Sequence, residues 1–301
     1  MSDEKPARQY FELRTTCPLG NCPVTVQGEP HSGQVEITRC SRWQHGHRCR
    51  AECAPQVSLE YAIELGRRVQ EMLEPPHFQR LEDLTASSWM SVSQRVSGDF
   101  QSVYFLGRRI LAIQGDVMGK GVNAALLAAY LVGLFEGLIQ HSKSLSEIVS
   151  GMNRSVAERT QNRPMFATAL VLEIDLSERQ WRFCRAGHEI PLLTRRAGRA
   201  CRLTSGSSLP LGIDPREQYS VTHRPLHHGD RLLLCTDGAL EVGLNPRDLR
   251  ETLARPGCQL SDLVALLPAS RPYRDDVSLL LFACDDPYDT HHSQFDSKTL
   301  S

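Results

Sequence analysis

The chain has 301 residues, 41% of them apolar, enough for one large domain with its own core and a smaller module beside it. Its 34 Lys and Arg nearly cancel its 35 Asp and Glu, so no overall field favours nucleic acid or an anionic membrane surface, and recognition has to be local. The polar start MSDEKPARQY lacks the apolar core of a secretory signal, and AALLAAYLVGLFEGLI at 124–139 is short, carries Glu136 and reads as a buried helix; a cytoplasmic protein with no membrane or nucleic-acid partner is expected.

Residues 1–57 form a separate, loop-rich module in which the runs CPVTVQG and GQVEITRC suggest small hairpins. Half of the ten cysteines fall here. Cys17, Cys22, Cys40, Cys49 and Cys53, with His31, His45 and His47 nearby, offer soft ligands to a zinc ion, although their spacing matches no standard finger. A redox or iron–sulfur role and unligated thiols stay open beside zinc. Cys184, Cys201, Cys235, Cys258 and Cys284 are scattered and read as buried core thiols.

Residues 58–76 read as a helical linker: Leu59, Ala62, Ile63, Leu65, Val69, Met72 and Leu73 recur at near-helical spacing until Pro75-Pro76 stops the helix. Such a stripe docks on its own domain or forms a two-helix contact in a homodimer. Beyond residue 85, VYFLG and RRILAIQGDV flank a tight Gly107-Arg108 turn, as in a hairpin. Helical segments at 122–141 and 144–160 follow. FATALVLEIDL, RQWRFCRAG and IPLLTRR then read as successive antiparallel strands, YSVTHRPL and DRLLLCTDG as two more, PRDLRETL and SDLVALLPA as helices, and DVSLLLFAC as a closing strand. The polar, aperiodic residues 286–301 read as a disordered tail.

Acidic residues stand at the ends of these strand-like runs: SGDF at 97–100, GDVMGKG at 115–121, CTDGALE at 235–241 and YRDDVSLLLF at 273–282. Carboxylates without obligatory Cys or His suit hard cations such as magnesium or manganese. Two such ions acidify a water and neutralise a transferring phosphoryl group, so no nucleophilic side chain is needed. The intervening glycines allow tight turns and close approach of a backbone carbonyl.

In this order and spacing, with ELGRRVQEMLEPP before them and FATALVLEIDL, RAGHEIPLL and SLPLGI between them, the motifs over about Leu65–Cys284 resemble the SpoIIE-like branch of the PPM-type metal-dependent serine/threonine protein phosphatases. The resemblance implies an α+β fold, a four-layer α/β/β/α sandwich of two antiparallel sheets flanked by helices, with the phosphatase domain over 77–285. It implies that Asp116 bridges two Mn2+ or Mg2+ ions, that the Val117 carbonyl assists on one, that Asp237 and Asp275 complete the first site, and that Asp99 reaches the second through water. Asp276 is second choice to Asp275. Asp116 and Asp237 are thus the catalytic pair. The resemblance also implies a phosphoserine or phosphothreonine substrate on a regulatory protein of the anti-sigma-factor antagonist type.

Met118 stands where other branches carry a His as general acid, so the leaving group takes its proton from a metal-bound water or, as second candidate, from Lys120. Arg95 and Lys120 are candidates for substrate phosphate, with a solvated Arg as the alternative for Arg95. His188 reads as a turn-stabilising group. The amino-terminal module is expected to sense metal, redox state or a partner and to bias the linker helix. Two rival readings remain at this point: a scaffold or sensor with weak catalysis that acts through its Cys-rich module, and hydrolysis of a small phosphorylated metabolite or nucleotide.

Overall fold

A computed structural model of the chain describes residues 11–16, 23–28, 35–40, 63–142, 144–160, 165–195, 198, 200–204 and 207–285. The chain divides into two compact units, Met1–Val69 and Gln70–Ser301. In the first, β1 (Phe11–Thr16), β2 (Pro23–Gly28) and β3 (Val35–Cys40) form a three-stranded antiparallel sheet that includes both runs expected to form hairpins. Cys17, Cys22, Cys49 and Cys53 lie outside the described residues, and Cys40 is described only as the last backbone position of β3; the zinc expectation therefore falls outside them too.

Helix α1 spans residues 63–73 and ends before Pro75-Pro76; the expected first residues 58–62 lie outside the described set. Two sheets follow. One has the order β11 (Cys201–Arg202), β10 (Leu192–Thr194), β14 (Arg231–Cys235), β15 (Val277–Cys284), β5 (Leu84–Ser91), β4 (Phe78–Leu81). The other runs β12 (Ser207–Ser208), β9 (Gln180–Ala186), β8 (Ala167–Asp175), β7 (Arg109–Val117), β6 (Asp99–Leu106), with β13 (Thr222–Pro225) also paired to β9. Pairing is antiparallel except between β12 and β9. The helices are α2 (Val122–Ile139), α3 (Leu145–Arg159), α4 (Gly238–Glu241), α5 (Pro246–Leu253) and α6 (Leu260–Val264).

Period-two alternation along the strands builds the layers. On β7, Leu111 and Ile113 face the cluster shared with α2 and α3, while Ile110 and Ala112 face the cluster between the sheets. On β15, Leu280 and Phe282 join that inter-sheet cluster, whereas Leu279 and Leu281 join a third cluster with Leu249, Leu253 and Leu263 of α5 and α6. Three cores separate four layers, helix, sheet, sheet, helix. Each fully buried aliphatic side chain contributes about 1.5–3 kcal/mol of transfer free energy. Helix α2 is long and apolar enough to cross a membrane by length and composition, yet Ala128, Leu131, Val132 and Phe135 are buried in the first of these cores.

Three readings are corrected. The strand over IPLLTRR does not continue a meander: β8 and β9 pair, but β10 crosses to the other sheet and pairs with β14. SDLVALLPA yields only the five-residue α6. Of the scattered cysteines, Cys184, Cys235, Cys258 and Cys284 are buried as expected, but Cys201 is exposed.

Candidate metal centre

The inner faces of the two sheets change character along their length. On β7 the inward series runs Ile110, Ala112, Gln114, Asp116; on β6, Val103, Gln101, Asp99; on β15, Phe282, Leu280, Ser278 and then Asp276; on β14, Leu232, Leu234 and then Thr236. One end of the sandwich is thereby polar. Gln114 Nε2 donates to Ser278 Oγ at 3.0 Å and bridges the two sheets just below the acids. Asp99 and Asp116 are directly opposite each other in the β6–β7 ladder.

The acids are graded in depth. Asp99 is buried, with Thr236 Oγ1 donating to its Oδ2 at 2.7 Å. Its carboxyl is held well above the usual carboxylate range, first by burial and then by the charge of Asp116. Asp116 is half-buried and pushed up to about 7 by burial and by the charges of Asp237, Asp275 and Asp276, against which Lys120 acts. Asp275 is half-buried and accepts Lys120 Nζ at 2.6 Å, and Lys120 also donates to the Arg274 carbonyl at 3.1 Å. Asp237 is exposed at the N-cap position of α4, where its side chain makes no capping hydrogen bond.

Asp276 is placed differently from its neighbour. Its Oδ1 accepts the Ser93 N–H at 2.6 Å, and its Oδ2 accepts Ser97 Oγ at 2.8 Å and the Gly98 N–H at 3.1 Å. Both oxygens thus clasp the loop that leads into Asp99. Val117 is wholly buried, its N–H bonded to the Gly98 carbonyl at 3.2 Å. A Cβ on Gly98 would lie 3.2 Å from the Val117 carbonyl and 3.4 Å from Asp116 Oδ1. A side chain there would press on the Val117 carbonyl and on Ala124 by a few tenths of an ångström. Gly119 and Gly121 adopt φ of 93° and 78°, the left-handed region that lets the chain turn from β7 into α2.

Lys120 sits at the acids, while Arg95 is exposed in the loop before Asp99. His188 is held against Thr168, the β8 residue opposite Asp116 in the β7–β8 ladder. It is buried, with Nδ1 2.8 Å from Thr168 Oγ1 and its carbonyl accepting Arg185 Nη1 at 2.8 Å. Gln70 of α1 accepts the Ser97 N–H at 3.0 Å and donates to the Ser97 carbonyl at 2.8 Å, tying the end of that helix to the loop before Asp99. A small, largely apolar cavity lined by Gln70, Leu73, Phe100, Ala128 and Val132 shares Asp99 with the cluster. Sequence reasoning missed Thr236, Gln114 and Gln70; stepping back by twos from Asp116 would have found Gln114.

The donor set fits a divalent cation. All donors are oxygens, which suits magnesium or manganese; beside burial, the larger cause, the charges of Asp237, Asp275 and Asp276 raise Asp116, and such an ion relieves that repulsion.

The family profile for Stage II sporulation protein E (SpoIIE) matches residues 107–285, more than half of the 301. The chain belongs to the SpoIIE family. A relative, phosphoserine phosphatase RsbP of Bacillus subtilis (strain 168), is 26% identical over 247 residues, covering 80% of this chain and 57% of RsbP. The chain thus spans little more than half the length of that relative. The RsbU and RsbW domains of Rv1364c from Mycobacterium tuberculosis share the fold with a TM-score of 0.60 and 26% identity, over 71% of this chain and 63% of that one. The catalytic domain of serine/threonine protein phosphatase PstP, in complex with two manganese ions, matches 67% of this chain and 98% of its own at a TM-score of 0.52 and 19% identity, a likeness of fold.

Proposed function

We propose that the chain is a cytoplasmic, metal-dependent protein serine/threonine phosphatase acting on a phosphorylated regulatory protein of the anti-sigma-factor antagonist type. One observation carries this reading: acids from three parts of the chain, the β6–β7 hairpin, the start of α4 and the entry to β15, meet at one end of the sandwich, where burial and then their mutual charge push Asp116 up to about 7. The phosphoserine phosphatase RsbP, similar along most of this chain, supports phosphoserine over a small phosphorylated metabolite.

Asp116, Asp237 and Asp275, with the Val117 carbonyl, hold two Mn2+ or Mg2+ ions in this reading, and Asp99 supports them from the buried side. Bound there, the ions supply an acidified water and charge neutralisation for the phosphoryl group. Thr236 and Asp276 fix the positions of Asp99 and its loop. Lys120 lies at the rim, where its ammonium can meet a substrate phosphate oxygen. Arg95, in the neighbouring loop, is the second candidate for that contact. Met118 has no proton to give, so the serine leaving group is protonated by water.

The test is manganese-dependent hydrolysis of p-nitrophenyl phosphate and of a serine-phosphorylated antagonist protein, with Asp116→Asn and Asp237→Asn as controls. Activity lost in both variants and higher kcat/KM on the phosphoprotein support the reading. Wild-type rates equal to both variants would leave only a scaffold.

A further inference from the structure

At the pole opposite the acids, four turns and strand ends come together. The β4–β5 turn contributes Asp83, the β13–β14 turn His228, the end of β15 Cys284, and the β8–β9 turn Arg179. Asp83 Oδ2 lies 3.0 Å from His228 Nδ1 and 3.3 Å from Cys284 Sγ, and the sulfur lies 3.9 Å from the same ring nitrogen. The Asp285 carbonyl is 3.0 Å from His228 Nδ1.

These separations suit one small ion. Zinc bonds of about 2.0–2.3 Å in a tetrahedron set donor atoms roughly 3.3–3.8 Å apart, so shifts of a few tenths of an ångström would bring the three side chains onto it. The backbone already holds them together: Asp285 N–H donates to the Asp83 carbonyl at 2.6 Å, Gly229 N–H to the Cys284 carbonyl at 2.6 Å, and Cys284 N–H to the Asp230 carbonyl at 2.9 Å.

We propose that Asp83, His228 and Cys284 form a transition-metal site, selective for zinc-like ions, with the Asp285 carbonyl or solvent as fourth ligand. A thiolate and an imidazole select such ions over magnesium and manganese, whereas the all-oxygen cluster at the other pole does the reverse. Binding replaces the Cys284 thiol proton, which leaves to solvent. Burial pushes that thiol up to about 12, so the ion has to compete with the proton and affinity rises with pH.

Arg179 is the rival occupant, since its Nη1 donates to Asp83 Oδ2 at 2.7 Å and its Nη2 to Cys284 Sγ at 3.3 Å. In the metal-bound state these N–H groups act as outer hydrogen bonds to the ligating carboxylate and thiolate, the arrangement that orients metal ligands elsewhere. Without a metal the same contacts form a closed polar clasp, and the experiment separates the two.

Full-length, reduced, metal-stripped protein is titrated with Co2+, read by the sulfur-to-cobalt charge-transfer band and by the bound equivalents. Wild type, Cys284→Ser and His228→Ala are compared, so that any signal from the amino-terminal cysteines cancels. The expected result is that both variants lose one equivalent and the matching part of the band, that Zn2+ displaces it in wild type, and that Asp116→Asn keeps it. His228 is half exposed, so its alanine variant folds even where Cys284→Ser does not; thermal unfolding checks this. Identical equivalents and spectra in wild type and His228→Ala would overturn the proposal and leave the Arg179 clasp. Neither outcome depends on the phosphatase reading.

Discussion

Thr236 Oγ1 donates to Asp99 Oδ2 at 2.7 Å while accepting the Ser278 N–H at 3.1 Å. One hydroxyl thus joins the deepest acid of the β6–β7 hairpin to the β14–β15 pair in the facing sheet. Removing an outer-shell partner of this kind typically costs about 10–100-fold in metal affinity or activity. Thr236→Val, which keeps the shape and removes the hydroxyl, is expected to fall in that range, with Mn2+ affinity by isothermal titration as the measure. An unchanged affinity would show that the two sheets position Asp99 without it.

Asp275 and Asp276 are adjacent yet should answer differently to mutation. Asp276→Ala removes the acceptor of three donors around Ser93–Gly98 and is expected to lower stability by about 2–4 kcal/mol in urea denaturation. Asp275→Asn, at a half-exposed carboxylate, should leave stability within about 1 kcal/mol and reduce Mn2+ affinity by more than the ~100-fold typical of outer-shell groups. The reverse pattern would make Asp276 the ligand.

Lys120 places an ammonium on Asp275, where a divalent ion competes with it. Both partners are partly exposed, at 45% and 30%, so the pair is worth less than about 1 kcal/mol. Lys120→Met should therefore tighten Mn2+ binding by only about two- to five-fold, measured by paramagnetic resonance of free Mn2+. In the same variant KM for the phosphoprotein should rise, because the rim loses its cation.

His188 is held neutral by burial, reinforced by the charge of Arg185, which lowers its pKa from 6.5 to about 3. The unfolded chain therefore binds a proton below pH ~6.5 that the folded one refuses, and stability falls as pH drops through that value. Between pH 6.5 and 5 the loss amounts to roughly 2 kcal/mol. His188→Asn should flatten this segment of the stability–pH curve from urea titrations while lowering stability at neutral pH. An equal slope in the variant would assign the effect to other groups.

The acidic motifs were legible because each is local: an acid at a strand end, with a glycine beside it in three of the four. The Gly107-Arg108 hairpin was legible for the same reason, and Leu106 pairs with Arg109 as expected. What escaped depends on distant partners. The three residues of β10 carry no mark of which sheet they join; pairing of Leu192 with Leu233 decides it. In β5, Ser87 and Ser88 sit beside β15, where their neighbours supply the apolar surface. Asp275 and Asp276 differ only through the loop that folds over one of them. Thr236 meets Asp99 across 137 residues of chain, which no local pattern reveals.

The β6–β7 hairpin also sets the order in which the centre can be dismantled. Asp99 and Asp116 belong to one short contiguous stretch and face each other across its ladder, whereas Asp237 and Asp275 arrive from a much later part of the chain at the mouth of the sandwich. Loosening the segments after β14 and before β15 would also release Thr236 and Asp276 from Asp99 and its loop, leaving the ladder alone to keep the deeper pair facing each other. Restoring the centre then means remaking those contacts as well as returning Asp237 and Asp275 to the mouth.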